Sequence, residues 1–109
     1  MPLDESQFHR DADALLARLA DEIDEECGDE AEVTSQGGVV TIVWEAGGTH
    51  VINKHAPTRQ IWLSSPTSGA SHFEFGDQGW VSTRAPHRLL LDVLGDELSA
   101  RMGKTITVG

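Results

Sequence analysis

Between Ser6 and Glu26 the apolar residues fall at Phe8, Ala12, Leu15, Leu16, Leu19 and Ile23. Steps of three and four trace one stripe along an α-helix. Asp4 or Ser6 can cap its start and Gly28 can end it. From about residue 31 to residue 84 the pattern changes. Short runs rich in β-branched and aromatic residues follow one another: Val39 to Trp44, Thr49 to Lys54, Gln60 to Ser64, Ser71 to Phe75 and Trp80 to Thr83, with Glu32 to Ser35 a weaker strand. Gly37-Gly38, Gly47-Gly48, Ala56-Pro57, Pro66 to Gly69 and Gly76 to Gly79 separate them. These connections suit hairpins and are too short for helical crossovers, so the sheet is expected to be largely antiparallel. Pro86 suits the first turn of a second helix with Leu89, Leu90, Val93, Leu94, Leu98 and Met102 as its apolar stripe and Gly103 as its stop. The tail from Lys104 to Val108 reads as extended. The pattern predicts an α+β two-layer sandwich. One amphipathic helix at each end of the chain packs on one face of a sheet of about six strands.

Strand parity separates the two sheet faces. Ile61, Leu63, Phe73 and Phe75 are expected to cover the helices. Gln60, Trp62 and His72 then fall on the open face, with Asn53 and His55 nearby. A solvent-facing Trp among Gln, Asn and His has the composition of an interaction surface.

Length and composition add limits. The 109 residues suit one domain and, with 39% apolar and 24% charged residues, an ordinary globular core. No apolar run reaches the roughly 18 residues of a membrane span. One cysteine, Cys27, excludes an internal disulfide framework and a cysteine-rich metal site. Met1-Pro2-Leu3-Asp4-Glu5 carries no recognisable targeting signal, which suits a bacterial cytoplasmic chain or a processed organellar one.

Charge changes the picture most. The net charge is −10. Residues 1–32 hold twelve acids against two bases, and residues 33–109 are balanced. Such a field repels nucleic acid and anionic lipid and attracts cations or a basic protein face. Asp21–Glu25 and Glu22–Glu26 are like-charge i,i+4 pairs, each costing roughly 0.2–0.5 kcal/mol. Asp24, Glu25 and Glu26 stand at the helix C-terminus, where the macrodipole disfavours anions. Asp29, Glu30 and Glu32 extend the patch. An arrangement that opposes local stability points to a functional site. Carboxylates without a Cys/His cluster suit hard cations held weakly, at several places, with water completing the shell. The same patch suits a basic protein surface.

Of the histidines, His9 is the candidate ligand, beside Asp11 and Asp13; the others read as ordinary surface or strand residues. Cys27 reads as a free thiol whose carboxylate neighbours raise its pKa, against a nucleophilic role. No nucleophile–base pair or phosphate-cradling loop is evident, and the glycine pairs are turn residues.

Gly37-Gly38-Val39-Val40-Thr41-Ile42, Val51-Ile52-Asn53-Lys54, Gln60-Ile61-Trp62-Leu63-Ser64-Ser65-Pro66, Ser68-Gly69 and Phe73-Glu74-Phe75 resemble the frataxin family, as does Phe8-His9-Arg10 opening an acidic helix. The resemblance covers nearly the whole chain. It implies one frataxin-like domain over residues 1–109 and a role in iron–sulfur cluster biogenesis. It also implies weak binding of ferrous and ferric iron, with no organic cofactor, and docking on the cysteine desulfurase–scaffold complex. Mapped residue by residue, the iron ridge is Asp21, Glu22, Asp24, Glu25, Glu26, Asp29, Glu30 and Glu32, with His9 and Asp11 extending it. The partner face is Asn53, His55, Gln60, Trp62 and His72. A monomer is expected, with a metal-dependent oligomer as the alternative, in the bacterial cytoplasm or, for a processed organellar chain, the mitochondrial matrix. The alternatives are a pure interaction regulator with incidental metal binding and a ferroxidase or storage oligomer. His72 stands where eukaryotic members usually carry a basic residue, Phe73 and Phe75 replace Tyr and Trp, and Cys27 interrupts a stretch that is often acidic.

Overall fold

The computed structural model of the chain describes residues 4–109. Met1 to Leu3, read above for a targeting signal, lie outside the described residues. Helix α1 runs Glu5–Cys27. Six strands follow: β1 (Ala31–Gln36), β2 (Val39–Trp44), β3 (Thr49–His55), β4 (Gln60–Ser65), β5 (Gly69–Gly76) and β6 (Gly79–Ser82), and helix α2 spans Leu90–Met102. The strands form one antiparallel sheet in sequence order. Its edges are therefore β1 and β6, and both helices lie on one face. No described helix is long and apolar enough to cross a membrane.

Asp4 caps α1 by accepting the Gln7 N–H at 2.8 Å. The expected stripe is buried in full, and Ala20 and Cys27 join it. Cys27 is wholly enclosed in the core. It does not interrupt the acidic surface, as the sequence suggested, because its position on the helix follows Phe8, Leu16 and Ile23 inward. Burial foremost, then the Glu26 charge, raises its pKa; Lys104 acts the other way, and Glu30 adds a smaller push upward.

Alternation sorts the sheet as expected. Val40, Ile42, Ile52, Ile61, Leu63 and Phe73 are buried beneath the helices. Gly37 and Gly38 both have positive φ, 60° and 78°, which lets a two-residue turn join β1 to β2. At Gly38 a Cβ would also meet the Lys54 side chain at 2.8 Å.

Helix α2 starts four residues later than Pro86 suggests. Ser82 donates its N–H to the Arg88 carbonyl at 2.8 Å, and Val81 bridges Leu89. Residues 88 and 89 thus finish a strand-like pairing before the helix can begin. Gly103 ends α2 in the left-handed region (φ 67°). The tail then turns back between the helices. Ile106 and Val108 are buried, and Ile106 N–H donates to Ser99 Oγ at 2.8 Å. The Ile106 carbonyl passes so close to Gly95 that a Cβ there would lie 3.1 Å from it. Ile106→Ala is expected to cost about 2–3 kcal/mol, a fall in Tm of roughly 10 °C. A thermal melt within 2 °C of wild type would mean that the tail is not part of the core.

Candidate functional site

The acidic surface is built by the last two turns of α1, the turn after it, and β1. Asp21, Asp24, Glu25, Glu26, Asp29, Glu30 and Glu32 are exposed and Glu22 half-buried. The last turn of α1 carries no basic residue. Three cations reach α1 carboxylates. Arg18 approaches Glu22 at 3.8 Å, Lys104 pairs with Glu26 at 3.2 Å, and Lys54 holds Asp13 at 2.8 Å. Glu22 also accepts the Gly109 N–H at 2.8 Å. Among the described residues Asp21, Asp24, Glu25, Asp29, Glu30 and Glu32 have no cation partner. Within them Asp21 lies one turn from both Asp24 and Glu25, at i,i+3 and i,i+4.

His9 and Asp11 are not brought together. Two residues apart on a helix, they face different sides. His9 Nδ1 lies 3.0 Å from Lys54 Nζ. Lysine can only donate, so His9 accepts there and its ring proton sits on Nε2. Asp11 instead borders a cleft with Arg18 and Trp80. Asp13, rather than Asp11, is the acid that joins His9 at Lys54. Among the described residues no three His, Cys, Asp or Glu side chains converge as a metal cage.

The sheet face behaves differently, because register brings its residues together. Asn53, Trp62 and His72 are consecutive partners across β3, β4 and β5, and His55 pairs with Gln60 one row on. Trp62 lies between two imidazoles, with ring centroids 3.7 Å from His55 and 4.2 Å from His72, each inclined by 13°. Its indole N–H donates to Gln60 Oε1 at 2.9 Å. The three rings form one stack on the open face.

One histidine departs from expectation. His50 is fully buried. The Trp44 indole N–H donates to its Nδ1 at 2.9 Å, and its Nε2 lies 2.9 Å from Glu97 Oε1. Indole N–H can only donate, so Nδ1 accepts and Nε2–H donates to the carboxylate. Ser65 and Ser68 hydroxyls donate to the same carboxylate. Burial pushes the Glu97 carboxyl up, but the hydrogen bonds from Ser65, Ser68 and His50 outweigh it and hold it below its ordinary value.

The chain matches the frataxin-like domain family over residues 1–104. It belongs to the frataxin family. Frataxins are associated with iron and with iron–sulfur cluster assembly. The chain is 36% identical over 111 residues to the mitochondrial frataxin homologue of Saccharomyces cerevisiae, covering 96% of this chain and 61% of that one. It is 38% identical over 110 residues to the mitochondrial homologue of Schizosaccharomyces pombe, covering 95% and 69%. It thus spans about three-fifths to two-thirds of the length of these relatives. Frataxin from Psychromonas ingrahamii shares the fold, with a TM-score of 0.81 at 22% identity over 96% of this chain and 97% of the other. A trimeric frataxin from S. cerevisiae complexed with ferrous iron superposes with a TM-score of 0.77 at 38% identity, covering 85% and 86%.

Proposed function

We propose that this frataxin binds iron weakly at several places along its unpaired carboxylates and regulates iron–sulfur cluster assembly by docking on the cysteine desulfurase–scaffold complex. There it supplies iron or modulates sulfur transfer. The observation that carries this reading is the set of six acids without a cation partner, at a helix end whose dipole opposes them. Asp21 with Asp24 and Glu25 offers a hard cation oxygen ligands from adjacent turns, and water fills the remaining positions. Glu22 and Glu26 contribute once Arg18 and Lys104 are displaced, and Asp11 and His9 stand at the far end of the same helix. Carboxylates spread over an exterior suit exchangeable cargo rather than a buried catalytic pair of irons. The yeast frataxin complexed with ferrous iron supports the iron half of the reading.

For the docking half, a basic patch on the desulfurase meets the ridge, and the block of Trp62, His55 and His72, with Asn53 and Gln60, packs against the complex. The reading places the protein in the bacterial cytoplasm or, as in the yeast relatives, in mitochondria. Exchangeable iron at the carboxylates predicts a localised response to metal. Anaerobic ferrous titration of the labelled chain is expected to shift and broaden amide signals of residues 21–32 before those of the sheet. A spectrum unmoved up to millimolar iron would leave a docking surface without a metal role. Binding to the desulfurase that survives chelation would then support the pure interaction regulator.

A further inference from the structure

Strand β6 is shorter than its partner. It pairs with β5 from Phe73↔Ser82 to Gly76↔Gly79. Thr83 N–H adds one last bond, to the His72 carbonyl at 2.9 Å. Gly69, Ala70 and Ser71 then continue beside β4 with no strand on their other side. Backbone groups along an antiparallel strand alternate in direction, residue by residue. The His72 carbonyl points toward β6, so the N–H and C=O of Ala70, two residues back, point the same way. Ala70 is exposed, and its backbone pair is directed into an open edge. An open edge is usually protected by Lys, Pro or a bulge. Gly69-Ala70-Ser71 has none of these.

This edge borders a cleft of about 420 Å³ between β5, the loop after β6, and α2. Phe73 and Val93 give it an apolar floor, and Arg84 and Arg88 stand at its rim. Ser82 fixes that loop. Its hydroxyl accepts the Arg88 N–H at 2.9 Å, and its carbonyl accepts His87 Nδ1–H at 2.8 Å. Arg88 pairs with Asp96, whereas Arg84 has no carboxylate partner among the described residues. Glu97 also lines the cleft, but its oxygens are engaged by Ser65, Ser68 and His50. The acidic end of α1 lies over β1, four strand spacings from β5 or about 19 Å. That is about two Debye lengths at physiological salt. The ridge does not repel an anion at Arg84.

We propose that this edge and cleft take an extended, carboxylate-bearing peptide segment of a partner protein, added as a strand beside β5. Its backbone pairs with Ala70, a carboxylate meets Arg84, and a small apolar side chain covers Phe73 and Val93. Strand addition draws affinity from main-chain bonds and specificity from the flanking pocket. The site shares no residue with the acidic ridge.

The test uses the labelled full chain and an acetylated, amidated hexapeptide of alternating valine and aspartate. Peptide is expected to shift the amide signals of Ala70, His72 and residues 83–88 and to slow solvent exchange of the Ala70 N–H. Arg84→Gln should weaken binding about tenfold, the loss of one charge-assisted hydrogen bond. Ala70→Pro removes the N–H on the free side while leaving the ladder to β4, and should weaken binding as much. If that variant melts early, exchange of the Ala70 amide in the wild type decides. Equal binding of a valine–lysine hexapeptide would overturn the proposal, as would no response at millimolar peptide. So would acetate moving the Arg84 region while the peptide leaves Ala70 exchange unchanged, which would mark a small-anion site only.

Discussion

Glu97→Ala is expected to cost this fold about 3–5 kcal/mol, although Glu97 is not one of the ridge acids. The carboxylate is the sole acceptor for three donors. Ser68 is exposed and can turn to water. Ser65 is buried, its Oγ is held in place by accepting the Thr67 and Ser68 N–H groups at 2.9 and 3.1 Å, and its proton goes to Glu97. His50 is fully enclosed, with its other nitrogen taken by Trp44. Each stranded buried donor costs about 1–3 kcal/mol, and the lost charge-assisted bonds add to that. At about 4 °C per kcal/mol for a domain this size, Tm should fall by roughly 12–20 °C. Glu97→Gln keeps an acceptor oxygen for His50 and Ser65 and should lose less than half as much. A melt of Glu97→Ala within 4 °C of wild type would show that the network is not stabilising.

The same carboxylate sets a pH dependence. Its folded pKa lies below the ordinary value of 4.5. The ionised form is therefore favoured by folding. Its contribution is complete above the ordinary value and is lost as pH falls through the depressed folded value. The gap in Tm between wild type and Glu97→Gln should be widest near neutrality and close as pH falls through the depressed folded value. A gap that stayed constant from pH 7 to pH 3 would assign the loss to packing rather than to charge.

The two halves of the site were unequally legible in the sequence. Parity alone placed Trp62, Gln60 and His72 on the open face, because a strand with one buried side has no freedom to misplace its other side. The acidic run was visible as composition, yet which acids are free was not. Lys54 reaches His9 and Asp13 across 45 and 41 positions of sequence, and Lys104 and Gly109 reach back to Glu26 and Glu22. His50 and Glu97 are 47 positions apart, and nothing local distinguishes His50 from an exposed strand histidine. Pro86 misled because helix propensity is a local signal, whereas the Val81–Leu89 bridge that delays α2 is a tertiary one.

Replacing the free acids should improve the fold and remove its proposed cargo together. In Asp21→Asn/Asp24→Asn/Glu25→Gln one i,i+4 repulsion disappears, and two anions leave the last turn of α1. At about 0.2–0.5 kcal/mol for the pair and about 0.3–1 kcal/mol for each anion near the dipole, the gain is about 1–2 kcal/mol. That corresponds to a rise in Tm of about 4–8 °C. Moderate salt or iron should raise the melting temperature of the wild type by the same relief and leave the triple variant nearly unchanged. Glu22→Gln/Glu26→Gln is the matching control, because these acids already have partners in Arg18, Gly109 and Lys104. It should not stabilise. If ferrous iron perturbs the triple variant as strongly as the wild type, these three carboxylates are not the ligands. If the triple variant melts no higher than wild type, the ridge carries no strain. A ridge that is strained and also needed for iron would explain why so acidic a helix end is kept: the repulsion that weakens the fold is the field that a cation, or a basic partner, relieves on binding.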